Sequence, residues 1–255
     1  MDPTFRGMTE TCFHEMPDGR RIAYRLTLGE GPMMVFLPGY MSDMAGSKAA
    51  AVFDWAHRHG RACLLLDYSG CGESPGDFAD GTLLRWKDEV VALIEALCPG
   101  QVVLIGSSMG GWLMLLVALA LPEGRCAGLV GIAAAPDFTD WGKTEAEKAR
   151  LAAGEVVLED NPYGPEPTPT HPGFWENGQA NLLLGHEIAI DAPVRLLQGQ
   201  QDPDVPWETA LKLAKALRSA DVQVQLIKDG DHRLSRESDI ALLLRTLDEI
   251  VSGAA

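Results

Sequence analysis

The stretch Gln101-Val102-Val103-Leu104-Ile105-Gly106-Ser107-Ser108-Met109-Gly110-Gly111 decides the fold. Gln101 to Ile105 is an apolar run of strand length, and Met109 to Leu121 is compatible with a helix. Between them lies Gly-x-Ser-x-Gly, with Ser108 at its centre. The motif carries meaning only with a strand before it and a helix after it. Its glycines let the chain turn too sharply for residues with a Cβ. The turn leaves the serine side chain at a helix N-terminus, where N–H groups and the helix dipole favour developing negative charge. A plain Gly/Ser connection is the competing reading, and the flanking elements weigh against it.

Working outward, residues 10–16 and 21–28 are expected to form an antiparallel hairpin turned by Pro17-Asp18-Gly19. Met33–Leu37, Ala62–Leu66 and residues 127–132 are apolar runs of strand length. Ala49, Val52, Phe53 and Ala56 recur at helical spacing, as do Val90, Leu93, Ile94 and Leu97. Pro193–Gln198 reads as a strand, and Ala210, Leu213, Ala214 and Leu217 share one helix face. Val222, Val224 and Leu226 alternate as a last strand. Ile240, Leu243, Leu244, Leu247 and Ile250 mark the final helix. Apolar strands alternating with amphipathic helices mean a mostly parallel, doubly wound α/β sheet covered on both faces.

From Pro136 to Ala192 no strand is evident. Prolines crowd at Pro162, Pro165, Pro167, Pro169 and Pro172, and only Lys143 to Ala153 reads as a helix. So long a connection is uncommon, and such insertions act as lids or binding loops. Residues 1–255 are therefore expected to form one domain, with a lid or cap insertion at 136–192.

A chain of 255 residues can bury roughly 70–75% of its unfolded surface in one domain. The formal charge of −15 argues against binding a phosphate backbone, disfavours anionic membranes and mainly confers solubility. Cys12, Cys63, Cys71, Cys98 and Cys126 are an odd set without CxxC spacing, so they read as free thiols in a reducing compartment. Met1 to Glu10 has neither the apolar core of a signal peptide nor the composition of a transit peptide. Met109–Leu121 is too short to span a bilayer. A cytoplasmic location without stable membrane insertion is expected.

A serine hydroxyl is a weak nucleophile. It needs a base within hydrogen-bond reach, and the base needs a group that holds its tautomer. Active sites of open parallel sheets sit at the carboxyl ends of strands. Among His14, His57, His59, His171, His186 and His232, only His232 lies in a loop after a late strand, in Lys228-Asp229-Gly230-Asp231-His232. The acid should follow the strand 193–198, where Gly199-Gln200-Gln201-Asp202-Pro203-Asp204-Val205-Pro206 stands. Asp202 is the choice. Asp204 is the runner-up, with helix capping near Pro206 as its other reading. Asp231 reads as a solvated turn residue. The oxyanion donors are expected to be the N–H groups of Met109 and Tyr40, with Met41 the alternative to Tyr40.

These residues resemble the α/β-hydrolase superfamily. Leu37-Pro38-Gly39-Tyr40, Asp67-Tyr68-Ser69-Gly70-Cys71-Gly72-Glu73-Ser74, Gly106-Ser107-Ser108-Met109-Gly110-Gly111-Trp112 and Asp231-His232-Arg233 resemble one branch of it. That branch holds a mitochondrial palmitoyl-protein thioesterase, also described as an acyl-glucuronide esterase, and bacterial carboxylesterases. The likeness implies an α/β-hydrolase fold and the triad Ser108, Asp202 and His232. Pro38 stands where a histidine often precedes the glycine in the wider superfamily, a proline the branch shares.

Gly70-Cys71-Gly72 opens like a dinucleotide fingerprint, but Pro75 occupies the place of a third glycine, so a structural turn is the better reading. Cys71 has no unclaimed base in its loop and reads as an ordinary small residue. No P-loop, His-Glu-x-x-His or clustered metal ligands occur, and no cofactor or metal is expected. Phe138, Trp141, Phe174 and Trp175 are candidates for an acyl pocket, with local packing an equal reading. The whole points to a serine carboxylesterase acting through an acyl-enzyme on a small acyl ester. The alternatives are a thioesterase acting on S-acylated protein or acyl-CoA, an acyl-glucuronide esterase, and a non-catalytic binding protein on the same fold. Oligomeric state is not legible.

Overall fold

The computed structural model describes residues 10–162 and 164–253. Met1 to Thr9, most of the segment read above for a targeting signal, lie outside the described residues. β1 (Cys12–Glu15) and β2 (Arg21–Thr27) form the expected hairpin, followed by β3 (Glu30–Leu37), α1 (Ser47–Arg58), β4 (Arg61–Leu66) and α2 (Leu83–Leu97). Then come β5 (Val102–Ser107), α3 (Met109–Ala120) and β6 (Cys126–Ile132). The insertion holds α4 (Phe138–Trp141), α5 (Glu145–Ala152), β7 (Val157–Glu159), β8 (Thr168–Thr170) and α6 (Pro172–Gln179). β9 (Val194–Gly199), α7 (Glu208–Ala216), β10 (Val222–Ile227) and α8 (Glu237–Gly253) follow.

Eight strands form one sheet in the order β1-β2-β4-β3-β5-β6-β9-β10. β2 runs antiparallel to β1 and β4, and the other neighbours are parallel. Period-two alternation divides the core. Met33, Val35 and Leu37 join α2, α3 and α7 on one face; Met34 and Phe36 join α1 and α8 on the other. α3 is buried from Met109 through Val117, as an apolar helix in a core must be.

The chain steps from β3 to β4 on one side and returns with β5 on the other, so the β3/β5 boundary is the switch point where open α/β sheets bind ligands. Leu37 pairs with Gly106, Ile132 with both Ser107 and Leu197, and Ile227 with Gly199. The carboxyl ends of five strands are thus level, and their loops open along one edge.

The insertion departs from the sequence expectation. Two strands form there, β7 and β8, paired antiparallel with Leu158 opposite Pro169. Three residues are too few to show a period, and a proline hides a strand. In a two-stranded ribbon both strands are edges, so the missing N–H is tolerated. α6 was also hidden. Pro172 opens it, where an absent N–H costs nothing. α5 forms as expected, with Thr144 and Glu147 closing a capping box.

Asp137 fastens the base of the insertion. It has a positive φ of 61°, and its carboxylate accepts from the N–H groups of Leu183 and Leu184, both at 2.8 Å. Asp137→Ala should lower stability by about 2–4 kcal/mol, since it orphans two partly buried donors and puts a Cβ-only residue in the left-handed region. Asp137→Asn keeps one acceptor and tolerates that backbone, so it should cost about half as much. Thermal unfolding of the two variants beside wild type measures the order.

Candidate active site

β5 ends at Ser107, and Ser108 takes φ 54°, ψ −119° before α3 begins. That strained conformation is over-determined by its neighbours. Ser108 N–H donates to Ile132 O at 2.9 Å, and its carbonyl accepts from Gly111 at 2.8 Å and Ala135 at 3.0 Å. The flanking glycines have a different task from the one the motif suggested. The left-handed residue is the serine itself. A Cβ on Gly106 would lie 2.3 Å from Gly110 O, and one on Gly110 only 2.0 Å from Leu37 O. The glycines give clearance, which lets α3 press against β3 and β5.

The loops after β9 and β10 meet backbone to backbone. A Cβ on Gly199 would fall 2.3 Å from Gly230 O, and Gln201 N–H donates to that same carbonyl at 2.9 Å. This contact brings Asp202 and His232 together across thirty positions of sequence. His232 Nδ1 lies 2.9 Å from Asp202 Oδ2, and its Nε2 lies 3.1 Å from Ser108 Oγ. A carboxylate only accepts, so Nδ1 carries the proton and Nε2 is left to accept from the serine hydroxyl.

Asp202 Oδ1 accepts from Asp204 N–H and Val205 N–H, both at 2.9 Å, and Oδ2 also accepts from Gln198 Nε2 at 3.0 Å. Burial pushes its carboxyl up. The hydrogen bond and charge of His232, with the two N–H donors, outweigh that and hold it below the usual range. Asp202, Asp204 and His232 offer ligand atoms within 4.8 Å of one another, a grouping the sequence did not suggest. Asp202 already accepts four hydrogen bonds, so its lone pairs are committed.

Asp204 is exposed beside this pair. α7 starts at Glu208, with Trp207 before it. Asp231 is exposed and accepts from Leu234 N–H at 3.0 Å. Arg236 closes the His232 loop from outside, binding Asp229 at 2.7 Å and Asp239 at 2.9 Å. Met109 is the first residue of α3, so its N–H has no partner within the helix. The loop carrying Tyr40 and Met41 runs past the serine, with Gly39 so close that a Cβ there would sit 3.3 Å from Ser108 Cβ.

A cavity of about 510 Å³ opens over Ser108 and His232. Its walls include Met41, Lys48, Glu159, Asp204 and Arg233. Lys48 donates to the Arg233 carbonyl, and burial chiefly holds its ammonium below the usual lysine range. Glu159 pairs with Lys143 and accepts from Thr170 Oγ1 at 3.2 Å. Lys48 and Glu159 were not foreseen as walls, and Glu159 belongs to a strand the sequence concealed.

The four aromatic residues proposed for an acyl pocket stand elsewhere. None of them is among the residues lining this cavity. Phe174 is buried, with Phe138 at 5.7 Å between ring centroids. The indole of Trp141 donates to Pro136 O at 2.8 Å, and that of Trp175 to Thr139 O at 3.1 Å. These side chains hold the insertion together. Cys71 is buried, and that burial, with Asp67 and Glu89 nearby, pushes its thiol up to about 12. It is no ready nucleophile.

An apolar-walled, doubly wound sheet with a serine on a sharp strand-to-helix turn defines a class. Residues 34–245 match the alpha/beta hydrolase family, and the chain belongs to it. It is 36% identical over 253 residues to human palmitoyl-protein thioesterase ABHD10, mitochondrial, a match covering 98% of this chain and 82% of that protein. The solved structure of mouse alpha/beta hydrolase domain-containing protein 10 superposes with a TM-score of 0.90 at 33% identity, covering 97% of this chain and all of the other. A putative hydrolase from Agrobacterium vitis superposes with a TM-score of 0.88 at 38% identity, covering 95% and 98%. Five curated relatives are all named mitochondrial, which overturns the cytoplasmic location expected from the sequence. Free thiols and an acidic surface suit any reducing compartment, and destination is set by address segments that receptors read rather than by the folded domain. Among the described residues, no helix is long and apolar enough to cross a membrane.

Gly110→Ala should force α3 off the Leu37 carbonyl and cost at least about 3 kcal/mol. Gly100→Ala, whose Cβ would meet nothing within 4 Å, should leave stability nearly unchanged. Thermal melts of the pair distinguish clearance at the elbow from a general intolerance of alanine.

Proposed function

We propose that this α/β hydrolase is a serine carboxylesterase. The observation that carries the reading is the continuous contact from Ser108 Oγ through the His232 ring to Asp202, at 3.1 and 2.9 Å. Ser108 attacks the acyl carbonyl as its proton passes to His232 Nε2. Asp202 holds the ring and stabilises its charged form. The N–H groups of Met109 and Tyr40 hold the oxyanion until the intermediate collapses and His232 gives its proton to the departing alcohol. Water, deprotonated by His232, then cleaves the acyl-enzyme and restores Ser108. Residues 136–192, which supply Glu159 to the cavity wall, act as a cap over the acyl ester.

A second reading within the same chemistry is a thioesterase acting on S-acylated protein or acyl-CoA. The names of the curated relatives favour it. The leaving group alone differs, a thiol in place of an alcohol.

A panel of p-nitrophenyl esters of rising acyl length, run beside an acyl thioester and an acyl glucuronide, ranks these substrates by kcat/KM. Turnover of none of them, with no labelling by a fluorophosphonate, would leave a binding protein on a hydrolase fold. Ser108→Ala should lose about six orders of magnitude in kcat and all fluorophosphonate labelling, and Asp202→Asn about four orders.

The group that takes the serine proton must be unprotonated to do so, so activity should fall at acid pH. Asp202 plays no part in that limb. Its carboxyl is depressed in the folded state, so the stability it confers is present above its unfolded pKa of about 3.8 and is lost only as pH falls through the lower folded value. A kcat/KM profile that falls at acid pH while circular dichroism still reports a folded chain is the expected result.

A further inference from the structure

Tyr40, whose backbone N–H is read above as an oxyanion donor, has a side chain that reaches the insertion. Its hydroxyl donates to Pro169 O in β8 at 2.8 Å. Its ring lies 4.8 Å from Phe174 of α6 and 6.0 Å from Phe138 of α4, centroid to centroid. Three separate elements of the insertion therefore meet on one side chain of the loop leaving β3. On the other side the ring meets Phe78 at 5.0 Å and Trp86 at 6.4 Å, both outside the insertion. Burial raises the phenol far above its ordinary range, so the hydroxyl stays a donor wherever the protein works. The serine helix is joined to the same cluster. Trp112 of α3 sets its ring edge on Phe138 at 5.8 Å and donates to Asn181 O at 3.3 Å.

Oxyanion donors act only at hydrogen-bond distance from the developing charge, and a displacement of about 1 Å costs about a hundredfold in rate. Gly39 leaves the loop little room on the serine side. Tyr68 pins it at Pro38 O at 3.0 Å, and the Tyr40 side chain ties it to the insertion. We propose that Tyr40 is a positioning residue whose side chain couples the docking of residues 136–192 to the placement of its own N–H, so that the oxyanion site is complete only when the insertion is seated. This rests on the reading of Tyr40 N–H as an oxyanion donor.

The test uses the full-length protein, Tyr40→Phe and Phe174→Leu, assayed on a p-nitrophenyl ester and on its thiono counterpart, in which sulfur replaces the carbonyl oxygen. Tyr40→Phe keeps the ring and deletes the bond to Pro169. Its kcat per folded molecule should fall about tenfold, with KM within about twofold and the acid limb of the pH profile unmoved. The preference for the oxygen ester should shrink with kcat. Phe174→Leu should move both quantities in the same direction. Circular dichroism at the assay temperature supplies the folded fraction. A kcat that falls only in proportion to that fraction overturns the proposal, as does an oxygen preference unchanged from wild type in both variants. A wild-type enzyme that does not distinguish the two esters would instead bring down the oxyanion reading beneath it.

Discussion

The carbonyl of Leu37 lies where a Cβ on residue 110 would be. Everything at the site follows from that proximity. With a side chain at 106 or 110, α3 would stand off β3 and β5, and the serine would move out of reach of the other loops. With glycine at both, the helix seats at the switch point and Ser108 is left in a backbone conformation that only its surroundings sustain. The cost of one strained residue is borne by a largely buried strand–helix–strand unit.

A second close approach, Gly199 on Gly230, does for Asp202 and His232 what the first does for Ser108. Both are contacts of backbone with backbone, so these three side chains hang from main-chain scaffolding. Asp202 holds its two backbone donors, Gln198 and His232 all at once.

Legibility followed the size of the repeating signal. Strands of five or more apolar residues and helices with a clear stripe were readable because burial on a sheet imposes period two and burial on its faces imposes the helical period. The convergence of Ser108, Asp202 and His232 was readable because a parallel sheet gathers the loops at its strand ends, and all three residues follow strands. The insertion was opaque for the opposite reason. Its strands are three residues long, one contains Pro169, and their pairing is stabilised by partners distant in sequence. Phe138, Trp141, Phe174 and Trp175 could be read equally as pocket or packing because an aromatic residue in a proline-rich segment has no visible partner, whereas in space each has one. The role of glycine in the elbow was seen, but its reason was not: clearance leaves no trace in a one-dimensional pattern. Location was the least legible of all, since composition constrains it only weakly.

The histidine loop has one further property. The Asp202 carboxylate is fully buried with its lone pairs engaged, whereas the far side of the loop is closed by Arg236, which grips an exposed Asp229 and a buried Asp239. Attractions between exposed charges fade with ionic strength over a Debye length of about 8 Å, while buried ones hardly change. The two sides of the loop therefore answer to different solvents. The contact between His232 and Asp202 is insulated from dissolved ions, while brine loosens the Arg236–Asp229 arm of the outer clasp.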